Sequence, residues 1–209
     1  MNSACGLIEI RGSRVALRDP RPEDVEARIR WVTVEIAWQD WDAPWEGKSI
    51  VPPEKIDETR RTMLDNMSKP LPSPRSVLYV QRIGGPLIGR VSYYDHDAVN
   101  RVVSVGVGIW ESPYWNQGLG TEALRLWLDY VFTNLDVHRI SLGTWSGNVR
   151  MMRCAQKCGF VLEARFRESR AVPAPSPKEG LQRAGGERYD ALGYGLLRRE
   201  WEAMRGTRR

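Results

Sequence analysis

Nowhere in its 209 residues does the chain sustain an apolar run near the roughly 18 residues that a membrane-crossing helix needs, so no membrane partner is expected. The opening MNSACGLIEIRGSRVALRD lacks a basic segment followed by a long apolar core, so no secretory signal is expected either. Cysteine is scarce and odd in number, at Cys5, Cys154 and Cys158, which excludes a disulfide framework. The only histidines, His96 and His138, fall outside ligand-like spacing, so no metal is expected. Cys154 and Cys158 are four apart, on one face of a helix, and read as free, half-buried thiols in a reducing cytoplasm. Internal repeats are absent. The net charge of +5 is carried mostly by scattered arginines, with RGTRR at the end as the densest cluster, so no direct nucleic-acid role is expected.

What is present is ordinary for a globular protein: 42% hydrophobic and 27% charged residues, enough for one core and one domain over residues 1–209. LIEIRGSRVALRD reads as two short strands broken at Gly12 and Ser13. In RPEDVEARIRWVTVEIAW, Pro22 and early acids precede Val25, Ile29, Val32 and Ile36 at helical spacing. An aromatic, acidic loop follows, QDWDAPWEGKSIVPP, then a second helix that the PLPSP stretch stops. A three-strand meander comes next, turning at Gly84 and Gly85 and again at DHDAVN. The remainder reads helix (TEALRLWLDYVFTNL), strand, helix ending at Gly159, strand, a mobile proline- and glycine-rich loop over about 172–187, and a last strand with a short helical turn. The sum is a mixed α/β sheet covered by helices.

WNQGLGTEALRLWLDYVF places Gly118 and Gly120 where a helix must begin. They make either a plain helix-entry turn or a loop that bares helix N-terminal amides to a phosphate. The Walker pattern fails, because Thr121 and Glu122 follow Gly120. A dinucleotide fingerprint is out of place behind a meander.

From SVGVGIWESPYWNQGLGTEALRLWLDYVF through HRISLGTWSGNVRMMRCAQKCGFVLEARFRESR, and again at YDALGYGLLRREW, the chain resembles the GCN5-related N-acetyltransferase (GNAT) superfamily, in its RimJ/RimL-like branch. The resemblance implies a single-domain, mostly antiparallel sheet with helices on both faces, and acetyl-CoA as co-substrate. The family's Q/R-x-x-G-x-G/A loop falls on residues 115–120, with Trp115 in the first place. It implies that the backbone at Gln117, Gly118, Leu119, Gly120 and Thr121 holds the pyrophosphate. It also implies that Val107, Gly108 and Ile109 pair with the pantetheine arm, and that Asn148 contacts the cofactor, beside its plain reading as a helix N-cap.

Two family positions for proton transfer are changed: Ser104 stands where a glutamate is frequent, and Ala155 where a tyrosine is. Glu168 and Glu111 are the remaining candidate carboxylates for catalysis, Glu168 having surface pairing with Arg167 or Arg170 as its plainer reading. Asp40, Trp41, Asp42, Trp45 and Glu46 would line the acceptor groove, acids for a cationic amine and tryptophans to pack on it; the plainer reading is a hydrophobic plug. The expected activity is acetylation of a primary amine, first a protein N-terminus, with an antibiotic or polyamine next. A non-catalytic acyl-CoA-binding protein and an RNA-associated basic module are the rivals. A homodimer is compatible with the sequence.

Overall fold

The computed structural model describes residues 6–172 and 186–206. The proline-rich loop expected over 172–187 lies almost wholly outside the described residues, as do Cys5 and the end of the basic tail. Eight strands form one sheet: β1 (Glu9–Arg11), β2 (Val15–Arg18), β3 (Val77–Arg82), β4 (Leu87–Asp97), β5 (Val102–Ile109), β6 (Arg139–Trp145), β7 (Val161–Val172) and β8 (Glu187–Leu197). Their spatial order is β1-β2-β3-β4-β5-β6-β8-β7, and every neighbouring pair is antiparallel except β5 with β6. Six α-helices accompany it: α1 (Val25–Trp31), α2 (Gln39–Asp42), α3 (Ile56–Ser68), α4 (Leu119–Asn134), α5 (Val149–Lys157) and α6 (Arg198–Gly206). None is long and apolar enough to cross a membrane.

Strand alternation divides the core between two faces. From β3, Leu78 and Val80 point into the main core with Ala123, Leu124, Trp127 and Val131 of α4. Val77 and Tyr79 point the other way, into a smaller cluster with Trp31 of α1, Met67 of α3 and Trp110. Helices therefore cover both faces, as the family resemblance implies.

Local chemistry explains where elements stop. The helix expected across Val32 and Ile36 ends at Trp31. Val32, Thr33 and Val34 are consecutive β-branched residues, which lose side-chain freedom in a helix. The Thr33 hydroxyl bonds the Ile29 carbonyl at 2.8 Å, while the amides of Val34 and Glu35 both turn back to the Arg30 carbonyl. The acidic loop is more ordered than expected, since it contains α2 and a one-turn 3-10 helix at Pro44–Glu46. The segment DHD belongs to β4, and the turn falls after Asp97, whose carboxylate caps the amides of Val99 and Asn100 at 2.9 Å. Gly159 follows α5 with φ +89, a left-handed position that suits glycine at a helix end. The closing helical turn is the nine-residue α6.

Candidate active site

The central feature is a parting of strands. β5 and β6 pair at only three positions, Val102 with Arg139, Val103 with Ile140 and Ser104 with Ser141. Beyond them β5 stays with β4 as far as Ile109, and β6 stays with β8 as far as Trp145. The Trp110 amide bonds the Ile88 carbonyl at 2.8 Å, which fixes which residues of β5 face β4. By antiparallel alternation the N–H and C=O groups of Val105, Val107 and Ile109 then turn toward the parting, and those of Gly108 toward β4. The Ile109 carbonyl is already taken, by Trp115 Nε1 at 2.7 Å. Gly108 serves another purpose: a Cβ there would meet Trp110 Nε1 at 2.6 Å, so its bareness lets the indole lie over the strand.

At the end of β5 the chain turns through Asn116 at φ +60 and Gly118 at φ +77 into α4. Gly118 is the N-cap, and the Glu122 amide bonds its carbonyl at 3.1 Å. The amides of Leu119, Gly120 and Thr121 thus form the first turn, where no acceptor exists within the helix. Gln117 is held at both ends, its carbonyl accepting from Arg14 and its side chain donating to the Pro113 carbonyl, each at 2.8 Å. Glu122 fastens the β1–β2 turn beside this helix start, accepting from the Arg14 amide at 2.7 Å, from Arg14 Nε at 2.9 Å and from Ser13 at 3.2 Å. Burial opposes the Glu122 charge, but these donors prevail and its carboxyl lies below the ordinary glutamate range. An open cleft of about 510 Å³ runs along this turn, with Arg14, Arg125 and Lys157 on its walls. Glu122 and Asp129 line the same cleft and Arg14 is paired with Glu122, so the element suited to a phosphate is the helix N-terminus itself, whose dipole adds about 0.3–2 kcal/mol.

α5 is tied to the same turn through sulfur. Thr121 Oγ1 donates to Cys154 and Cys158 donates to the Thr121 carbonyl, each at 3.6 Å. Cys158 is buried and Cys154 half-buried. Its side-chain hydrogen bond with Cys158 draws the Cys154 thiol below its usual pKa, against the effect of burial. Asn148 caps α5, its Oδ1 accepting from the Met151 amide at 3.0 Å, and its Nδ2 donates to the Trp41 carbonyl at 2.6 Å. Trp145 Nε1 reaches the same carbonyl at 3.0 Å. The Arg150 guanidinium lies between two indoles, 3.8 Å from the Trp41 ring centre and 4.0 Å from that of Trp115. One arginine therefore joins α2, α5 and the glycine loop.

On the opposite face, Trp110 meets Trp31 edge-on and Trp38 at a tilt, with ring centres 4.8 and 5.1 Å apart, and the Arg90 guanidinium lies 5.0 Å from its centre. Asp42 ends α2 above this floor. It is open to solvent yet walled by protein, and that partial burial raises its carboxyl above the usual range, with Arg90 pulling it down and Glu46 pushing it up. Asp40 pairs with Lys48 at 3.0 Å and points away to solvent. Glu46 is exposed. Trp45 packs edge-on against Trp145 at 6.0 Å, under the Arg170 guanidinium at 4.8 Å.

The two candidate carboxylates have different settings. Glu111 is 6% exposed, with Oε1 accepting from Trp31 Nε1 at 2.7 Å and Oε2 from Arg30 at 2.9 Å. Both its oxygens are engaged in holding α1. Glu168 sits in a bulge of β7 at φ +52, its amide bonded to Asp190 at 2.8 Å. Its exposed carboxylate makes no hydrogen bond or ion pair with a described residue; Arg170 lies on Trp45 instead. Ser104 faces Tyr94 across the β4–β5 pair, and Ala155 is fully buried in the main core. Arg90, Trp110 and Arg150 were not singled out by the sequence reading. A lone arginine inside the apolar strand PLIGRVSYY was the one signal available for Arg90.

A parted parallel pair leading into a glycine-capped helix start is the architecture of an acyl-CoA-dependent transferase, and the family comparison agrees. Residues 14–161 match the family model described as Acetyltransferase (GNAT) domain, so the chain belongs to the GNAT acetyltransferase family and is an acetyl-CoA-dependent N-acetyltransferase. YdaF of Bacillus subtilis strain 168, provisionally named a ribosomal N-acetyltransferase, is 25% identical over 150 residues, 72% of this chain and 75% of that protein. The fold matches spermidine N-acetyltransferase from Vibrio cholerae, solved with CoA and spermine, at a TM-score of 0.65 and 18% identity, over 91% of this chain and 99% of the other. It matches RimL, the ribosomal L7/L12 α-N-protein acetyltransferase solved with coenzyme A, at 0.64 and 16%, over 91% and 98%.

Proposed function

We propose that the chain acetylates the α-amine of a protein or peptide N-terminus by direct attack in a ternary complex, in the cytoplasm. The observation that carries this reading is the parting of β5 and β6, which opens toward the α4 N-terminus on one side and the acidic, aromatic α2 segment on the other. The amides of residues 117–121 would hold the pyrophosphate, with Arg14, Arg125 and Lys157 alongside. The Val107 amide and carbonyl and the Ile109 amide would bind the pantetheine arm, and Asn148 would fix the adjoining turn of α5. Acetyl-CoA supplies an activated thioester; the chain supplies position, and the backbone amides of β5 supply donors for developing oxyanion charge.

The missing glutamate and tyrosine bear on the acceptor. A lysine amine with a pKa of about 10.4 costs roughly 4 kcal/mol to deprotonate near neutrality, whereas an α-amine near 8 is already partly neutral. A site that works mainly by positioning suits the α-amine. Glu168, the uncommitted carboxylate of the β7 bulge, would accept the amine proton through water. Glu168→Gln is then expected to lower kcat about 10- to 100-fold with KM for acetyl-CoA unchanged; an unaltered kcat would remove Glu168 from the reaction.

Thermal unfolding with acetyl-CoA, and with ATP as phosphate control, tests the reading. At a hundred times its dissociation constant a ligand adds about 2.7 kcal/mol, on the order of 5–11 °C for a domain this size. A rise with acetyl-CoA alone, followed by thiol release with peptide amines, supports it. Binding without turnover of any amine would make the chain a CoA-binding protein, and no rise would refute the reading.

A further inference from the structure

The acceptor groove holds two opposite charges, Asp42 and Arg90, that are not spent on an ion pair with any described residue. Trp38, the N-cap of α2, and Asp42, its last residue, are four residues apart and share a side. Trp38 packs against Trp110 with the two rings tilted by 36°, and Asp42 follows it one helical turn on. Arg90 and Tyr94 alternate along β4 onto the Trp110 floor, and Arg90 lies over Trp110 itself. Opposite them in β5 stand Gly108 and Ser104, with Gly106 between, so β5 adds no bulky side chain beside Arg90 and Tyr94. Asp42 and Arg90 form no ion pair or hydrogen bond with any described residue, whereas Asp40 is spent on Lys48, and Glu111 on Arg30 and Trp31. Burial is the chief influence that raises both the Asp42 carboxyl and the Tyr94 phenol, with the Arg90 charge drawing Asp42 down and the Asp42 charge adding to the rise at Tyr94.

We propose, building on the acetyltransfer reading, that the acceptor is a primary amine with an acidic group a few bonds away, the amine meeting Asp42 and the acid meeting Arg90. Free aspartate or glutamate, and peptides that begin with either, have this chemistry. A polyamine would bring a second cation against Arg90, and a plain amine would leave the guanidinium idle.

The test measures thiol release from acetyl-CoA with four acceptors: aspartate, the tetrapeptide Asp-Ala-Ala-Ala, its Lys-Ala-Ala-Ala counterpart, and spermidine. The Asp peptide is expected to exceed the Lys peptide about tenfold in kcat/KM. Arg90→Leu should bring that ratio to within about twofold, and Arg90→Glu should invert it. Asp42→Asn should raise KM for every amine. Arg90 is exposed and gives up only its contact with the Trp110 ring, so its variants should melt slightly below wild type, which unfolding curves check. Turnover of aspartate but not the peptide assigns a free amino acid; the reverse assigns an N-terminus; either supports the proposal. A ratio unmoved by Arg90→Leu, a wild-type preference for spermidine or the Lys peptide, or turnover of none of the four while acetyl-CoA raises Tm, would overturn it. No rise in Tm with acetyl-CoA refutes the acetyltransfer reading itself, and this inference with it.

Discussion

Gly118 and Gly120 lie two residues apart and answer to different constraints. Gly118 has φ +77, and a Cβ there would stand 3.3 Å from the Arg14 guanidinium. Gly118→Ala is expected to cost about 1–2 kcal/mol and to weaken acetyl-CoA binding. Gly120 is helical, and its Cβ would make an ordinary 3.5 Å contact with Ile109. Gly120→Ala is therefore expected to stabilise the protein by up to about 1 kcal/mol. Melting curves of the two variants should move in opposite directions. Arg150 gives a second test: Arg150→Met removes the slab between Trp41 and Trp115 at a cost of about 1–2 kcal/mol. It should raise KM for both substrates, because one side chain touches the glycine loop and α2. The glycines were legible because their spacing against a helix is local. Arg150 was not, since its meaning lies in Trp41 and Trp115, both distant in sequence.

Among elements, the first turn of α4 depends on a strand turn more than 100 residues away. Glu122 accepts from Arg14 and Ser13 there, and a Cβ on Gly12 would strike its carboxylate at 2.5 Å. Glu122→Gln should cost about 1.5–3 kcal/mol at pH 7. The Glu122 carboxyl is lowered in the folded state from an ordinary 4.5, so its stabilisation is complete above that value and is lost as pH falls through the lower, folded value. Melts taken from pH 7 to 3 should show an acid loss in wild type that is smaller in the Gln variant. Strand and helix identities followed from hydrophobic period and glycine punctuation. The early end of α1 did not, because apolar Val32 and Ile36 kept helical spacing while the β-branched run, and the pull of three amides on the Arg30 carbonyl, ended the helix.

Across the whole molecule, two buried ion pairs brace the start of the sheet. Arg75 meets Asp19 at 2.8 Å and Arg18 meets Asp24 at 2.6 Å, all four side chains almost wholly enclosed. In sequence these look like surface charges; only the fold brings Asp19 and Arg75 together. Asp19→Ala is expected to cost about 3–5 kcal/mol, measurable by denaturant titration, because it leaves the guanidinium buried without its counter-charge. The other large-scale feature is the three-position join between β5 and β6. Mechanically the sheet is two plates sharing a short spine, and a molecule lying in the parting rivets one plate to the other. Proteases that attack opened chains then compete with occupancy of that parting, since a ligand bound only to the native form lowers the opened fraction. Survival under a protease should therefore lengthen when acetyl-CoA is added, which limited proteolysis with and without it would measure.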